Sequence, residues 1–206
     1  SLQESIQDAK GPNGDWGVGQ YGGCAKAMDN SYGYFGFTLD RNGYNDEKLP
    51  LSNFAVLAGL ASSSGIETST LVPAQFTSVL EKLVEQGTPL ISSTVVETWP
   101  FVDQDYDVGV PYGNGGQNTV YRLREGIERF LITDINNPAA SAKAQSSLYI
   151  MFDQLGTTVA SYNHIPGGSN VLYMDGHVQF QKYEVQGEAP ASEPMAIITG
   201  MLTSGG

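Results

Sequence analysis

"HIPGGSNVLYMDGHVQFQKY", residues 164–183, decides how this chain is read. It holds both histidines of the protein, His164 and His177, a glycine pair at Gly167 and Gly168, Asn170, and the dipeptide Asp175-Gly176 between two apolar runs. Histidine and aspartate this close together suggest a metal site or a catalytic dyad, yet the same letters spell a β-hairpin. An Asp-Gly connection between alternating runs predicts a two-residue type I′ turn, which needs positive φ at both centres and so selects Asp and Gly. That turn pairs Met174 with His177, Tyr173 with Val178, Leu172 with Gln179 and Val171 with Phe180. One face of the ribbon then carries Val171, Tyr173, Val178 and Phe180 as an apolar core surface. The other carries Asn170, Leu172, Met174, His177, Gln179 and Gln181. Asp175 thus has a backbone reason to be aspartate, and His177 beside the turn needs no metal to account for it. His164 has three readings: loop anchor near Gly167 and Gly168, metal ligand, or catalytic base. Its position six residues before the strand favours the first, since six residues of partly extended chain span up to about 20 Å. A shared first-row metal needs both imidazole nitrogens within about 2.1 Å of it.

Upstream, "SLYIMFDQ" (147–154) reads as a compact apolar strand, and "TVYRLREGIERFLITDINNPAASAKAQS" (119–146) as a charged amphipathic stretch ending in an Asn-Asn-Pro turn. Arg122, Arg124 and Arg129 are expected to pair locally, with Glu125, Glu128, Asp134 or the acidic loop before them. That loop, "VDQDYDVGVPYGNGGQN" (102–118), places Asp103, Asp105 and Asp107 at alternate positions, a spacing by which calcium loops gather oxygen ligands. It is not an EF-hand: Gly109 is seventh in the run instead of sixth, and Asn114 stands where a bidentate glutamate belongs. A solvated acidic loop and a weak calcium site are both open readings; no other cofactor is indicated.

Two amphipathic helices are predicted in the middle of the chain, at 51–62 ("LSNFAVLAGLAS") and 73–87 ("PAQFTSVLEKLVEQG"), the second opened by Pro73 and closed by Gly87. A strand is expected at 89–99. Residues 13–44 are rich in Gly, Tyr, Asn and Asp and read as surface loop, with one short strand in "YGYFGFTL" (32–39). Its aromatics, Tyr32 to Phe37, suit either loop anchoring or a sugar-stacking platform. At the start, Leu2, Ile6 and Ala9 have helical spacing and are followed by Lys10, Gly11 and Pro12, the order of a helix C-terminus. The spacing predicts the end of a longer helix, because under three turns are marginal alone.

The chain has 206 residues and a formal net charge of −12 with pI near 4.3. Its length suits a single domain, and its charge repels nucleic acid and anionic membrane surfaces. The one cysteine, Cys24, excludes an intrachain disulfide and a multi-cysteine zinc site. No run of about 18 apolar residues and no signal-peptide pattern occurs.

"NHIPGGSNVLYMDGHVQFQKY" and the preceding "LREGIERFLITDINNPAASAKAQSSLYIMFDQ" resemble the prepilin-type proteins, pilin-like and pseudopilin-like, that end in a processing-associated H-X9-DG domain. The resemblance covers roughly residues 119–185. One departure is plain: ten residues, not nine, separate His164 from Asp175. The family's motif maps here onto His164, Gly167, Gly168, Asn170, Asp175, Gly176 and His177. The resemblance implies an α+β pilin-like head, with the end of an N-terminal helix (1–11) packed on a C-terminal antiparallel sheet (119–185), a variable region with extra helices (13–118) and a tail (186–206). It also implies a cleaved leader, an apolar anchor helix in the inner membrane, a periplasmic or cell-surface location, and other pilin or pseudopilin subunits as partners. The expected function is structural and non-catalytic, in a type IV pilin-like filament or a type II secretion pseudopilus. Rival readings are a metal-dependent hydrolase using His164 and His177 with carboxylates, and a surface glycan-binding module.

Overall fold

The closing hairpin forms, but around a different turn from the one expected. In the computed structural model, which describes residues 32–91, 100–127, 131, 145–156 and 167–203, Tyr173 and His177 close the loop. The Tyr173 N–H donates to the His177 carbonyl at 3.0 Å, and the Gly176 N–H donates to the Tyr173 carbonyl at 2.9 Å. The connection is therefore three residues, Met174 to Gly176, with Gly176 alone at positive φ (+88°). A three-residue loop concentrates the left-handed requirement in glycine and lets Asp175 keep the negative φ that an L-residue prefers.

The consequence is a register moved by one. Leu172 now faces Val178, Val171 faces Gln179, and Asn170 faces Phe180. Because side chains alternate, a one-residue slip moves every side chain of a strand to the other face. Val171 and Tyr173 are buried as expected, whereas Val178 and Phe180 are 63% and 50% exposed. The predicted apolar face of four residues is corrected to Val171 and Tyr173 alone.

Eight strands, three α-helices and a further helical stretch at 145–147 are assigned among the described residues. A four-stranded antiparallel sheet has the order β1 (Tyr32–Gly33), β6 (Tyr149–Asp153), β7 (Gly168–Tyr173), β8 (Val178–Lys182). Tyr32 pairs with Asp153, and Phe152 with Val171, so the early loop region contributes an edge strand to the C-terminal sheet. Two short ribbons, β2 (Lys48–Pro50) with β3 (Leu71–Pro73) and β4 (Tyr106–Asp107) with β5 (Thr119–Val120), frame the middle of the chain. The described fold is mixed helix and antiparallel sheet, as an α+β chain requires.

The helices follow their apolar spacing. After a 3-10 turn at Leu51–Asn53, α1 runs Ala55–Ser63, and α2 runs Ala74–Ile91. α2 passes the expected stop at Gly87, since one glycine costs a helix only about 1 kcal/mol. The strand expected at 89–99 thus begins inside a helix, and residues 92–99 lie outside the described ones. The segment expected as a tail holds α3 (Glu193–Thr203), whose Met195, Ala196, Ile198 and Met201 are buried in the same core as Leu51, Leu57, Phe76, Phe152 and Val171. Ser192, Glu193 and Pro194 opening a run with apolar residues three apart were the legible sign of it.

α1 starts without help from its own N-cap, Phe54. The N–H groups of Val56 and Leu57, which no helical carbonyl can satisfy, donate instead to Glu81 Oε1 and Oε2 of α2 at 2.8 and 3.0 Å. A buried carboxylate at a helix N-terminus is stabilised by both hydrogen bonds and the local dipole. Among the described residues no helix is long and apolar enough to cross a membrane.

Candidate functional site

The motif residues that the structure describes lie on β7, immediately before it at Gly167, or in the connection to β8, and each has a local task. At Gly168 a Cβ would lie 2.4 Å from Phe180 Cζ and 2.6 Å from the Gln181 carbonyl, so only glycine permits this approach of β7 to β8. Gly167 has φ +131°, outside the range of ordinary side chains. Asn170 is tied to the neighbouring strand: its N–H and its Nδ2 donate to Asp153 Oδ2 at 2.8 and 2.9 Å.

At the tip, the Asp175 carboxylate accepts the His177 N–H at 3.1 Å and meets the His177 Nδ1 at 2.5 Å. These two contacts, backbone first, hold the Asp175 carboxyl below the usual carboxylate range. The imidazole stacks flat on the Tyr173 ring, with centroids 4.4 Å apart and planes 5° from parallel. Tyr173 in turn accepts a hydrogen bond from Gln181 Nε2 at 3.0 Å. Burial pushes the Tyr173 hydroxyl up, and the Gln181 contact partly offsets this. The arrangement is a surface Asp-His pair braced by an aromatic ring. His164 lies outside the described residues, so the separation of the two imidazoles and the loop-anchor role expected from sequence fall outside them too.

In the acidic loop, Asp105 Oδ1 accepts the Arg122 N–H at 2.8 Å while its Oδ2 accepts Arg124 at 2.8 Å. Asp107 accepts the Gly109 N–H at 2.9 Å and Asn118 Nδ2 at 2.8 Å. Asp103 lies 3.6 Å from Arg122 Nε. The local pairing expected for Arg122 and Arg124 is therefore present; Arg129 lies outside the described residues. Among the described residues no group of three or more His, Cys, Asp or Glu side chains is placed to hold a metal ion.

The aromatic stretch divides between two environments. Tyr32 and Tyr34 are more than half exposed, while Phe37 is buried and Phe35 packs edge-on against Phe76 at 4.6 Å. The crevice between Phe35, Phe37, Leu39, Phe76, Val79, Leu80 and Leu83 leaves no space for a water-sized sphere, which makes it a seam of the core and not a ligand pocket.

The most connected polar cluster was not anticipated from sequence. Asn114, 3% exposed, uses both of its donors and both acceptor positions. Its Nδ2 donates to the Thr38 carbonyl and to Asp40 Oδ1, each at 2.7 Å. Its Oδ1 accepts the Tyr121 N–H and the Thr38 hydroxyl, each at 2.9 Å. Asp40 also accepts Gln75 Nε2 at 2.8 Å and the Gly115 N–H at 2.9 Å. Gln75 Oε1 accepts the N–H groups of Asp40 and Arg41 and the Asn42 amide, and Asn42 Oδ1 accepts the Phe76 N–H. Apart from Tyr121, seven positions from Asn114, the bonded partners lie 33 to 76 positions apart, so no short motif announces them. An Asn, Gln or Thr that will be fully satisfied in a fold looks in sequence like any surface residue.

No protein-family model, curated protein or solved structure matches this chain.

Proposed function

We propose that this chain is the globular head of a pilin-like subunit, assembled into a type IV pilin-like filament or a type II secretion pseudopilus, and that its work is structural. The observation that carries this reading is the use made of the motif. Gly167, Gly168, Asn170, Asp175, Gly176 and His177 serve strand approach, turn geometry and cross-strand bonding. A motif serving architecture suits a building block better than a catalyst, whose reactive groups converge on a common open point. In this proposal an N-terminal helix packs on the four-stranded sheet, anchors the subunit in the inner membrane before assembly, and joins it to other pilin or pseudopilin subunits at the periplasmic or outer surface.

The test is made in cells expressing the complete reading frame. A photo-crosslinking residue in place of Ile6 should give a ladder of multimers in the sheared surface fraction. A product released as a monomer, without such a ladder, would remove the filament reading.

Calcium at Asp103, Asp105 and Asp107 is part of the proposal with a specific obstacle: an ion there competes with Arg124 and Arg122 for Asp105. Calcium should raise the melting temperature if it binds the folded state preferentially, and Arg124→Ala should enlarge that rise. No heat and no shift at millimolar calcium removes the site.

A further inference from the structure

We infer that Asn114 is a latent modification site, whose conversion to aspartate or isoaspartate is held back in the folded chain by Asp40 and opens a structural seam once it occurs. Asn-Gly is the dipeptide in which the next backbone nitrogen most easily reaches the side-chain amide, because glycine puts no Cβ in the way. At 114–115 that freedom is present: Gly115 has φ +59°, and no atom lies within 4 Å of where its Cβ would be.

The reaction runs in two balanced steps. The Gly115 nitrogen attacks Asn114 Cγ and gives up its proton to solvent; the Cγ–Nδ2 bond breaks and ammonia leaves with a proton, closing a succinimide. Water then adds to one of the two ring carbonyls and the bond from that carbon to the Gly115 nitrogen breaks, the nitrogen taking up a proton: opening at Cγ gives aspartate, opening at the backbone carbonyl gives isoaspartate. Nothing is oxidised or reduced.

The fold opposes the first step at both reacting atoms. The Gly115 N–H points at Asp40 Oδ2 at 2.9 Å, so removing its proton would set a nitrogen anion against a carboxylate. Asn114 Cγ is fixed by the four hydrogen bonds of its buried amide, one of them to the same Asp40. Asp40 therefore restrains nucleophile and electrophile together.

The product state is different in kind. An acid at position 114 loses both donors of Nδ2, facing the Thr38 carbonyl and Asp40 with acceptors only. A buried carboxylate next to another carboxylate is strongly disfavoured. The seam joining residues 37–40 to 114–121 opens, and no reverse reaction restores the amide.

A second Asn-Gly provides the internal control. Asn42, also buried, donates to Gln75 and accepts from Phe76, and the Gly43 N–H donates to Asp46 Oδ2 at 2.8 Å. The same dipeptide is restrained there by a different carboxylate.

The experiment incubates the parent, Asp40→Ala, Asp46→Ala and the guanidinium-unfolded parent at neutral pH. Peptide mass mapping reads amide-to-acid conversion at Asn114 and Asn42 separately, and isoaspartyl methyltransferase labelling identifies the isomer. In the unfolded parent both sites should convert, and in the folded parent neither. Asp40→Ala should speed conversion at Asn114 by on the order of tenfold to a hundredfold, the size expected from one charge-assisted hydrogen bond, and leave Asn42 unchanged. Asp46→Ala should do the reverse. Conversion of Asn114 at the unfolded rate in the folded parent, or equal acceleration of both sites by Asp40→Ala, overturns the inference. Asn114→Asp tests the seam directly and does not depend on the Asp40 variant folding: it should lower the denaturation midpoint, and a midpoint equal to the parent's overturns the second half.

Discussion

The hairpin at 167–183 and the polar cluster around Asn114 are opposites. The hairpin gathers its suggestive residues within a few positions of one another and sets its Asp-His pair half in water. The cluster is drawn from three distant stretches, 38–42, 75–76 and 114–121, and its amides Asn42, Gln75 and Asn114 are buried and satisfied, with Asp40 at its exposed rim. Conspicuous residue types mark the first and inconspicuous ones the second, yet the second ties residues 38–42 to the start of α2 and to residues 114–121. Exposed polar contacts exchange with water at little cost, whereas a buried group that loses its partner suffers its full desolvation.

If that contrast is right, stability should respond far more to the cluster than to the hairpin. Asn114→Ala, which strands the Tyr121 N–H, the Thr38 carbonyl and Asp40 together, should lower unfolding free energy by about 3 kcal/mol or more in chemical denaturation. An effect below that of the turn variants would break the comparison. Glu81→Ala should follow at about 2 kcal/mol, because it leaves two N–H groups at the start of α1 without acceptors. Glu81→Gln should recover part of the loss, and equal losses would mean that packing, not capping, is at stake.

Gly176→Val forces a β-branched residue to φ +88° and should cost about 1 to 3 kcal/mol, read as a lowered thermal midpoint. An unchanged midpoint would remove the three-residue turn. Val178→Thr should change stability by no more than about 0.5 kcal/mol, since the observed register leaves this side chain in solvent. A core-sized loss there would restore the register expected from Asp-Gly alone. The smallest effect belongs to Asp175. Its lowered carboxyl value means that its contribution is present above the unfolded value and is lost as pH falls through the folded one. Asp175→Asn should therefore differ from the parent above about pH 4 and converge with it in stronger acid.

Much of the secondary structure was legible because its signals are local. The apolar spacing of Phe54, Leu57 and Ala61 marked α1, and the run at 149–153 marked β6. The hairpin itself was legible but its register was not, because Asp-Gly serves a two-residue loop and the end of a three-residue loop equally well. α3 went unread although Met195, Ile198 and Met201 carry a helical spacing, since a short segment near a glycine-rich end reads as tail. Of the site, Asp175 and Gly176 were identified from their turn chemistry, and Gly167 and Gly168 through the motif that the stretch resembles. The ties of Asn170 to Asp153, of Glu81 to α1 and of Asn114 to Asp40 depend on pairings across the fold that no window of sequence contains.

The placement of β1 beside β6 has a consequence for how the molecule comes into being. Tyr32 and Gly33 belong to a strand whose partner, Tyr149–Asp153, emerges from the ribosome only after most of the chain has been made. The ribbon of β2 and β3, with α1 and α2, is closed by contacts of short separation and can assemble while synthesis continues. The four-stranded sheet cannot, because its first edge waits for its last third, and closing so long a loop carries an entropy cost that only the finished pairing offsets. The pairing of residues 32–33 with β6 is thus the least local contact of the sheet, and chain topology predicts that it closes late.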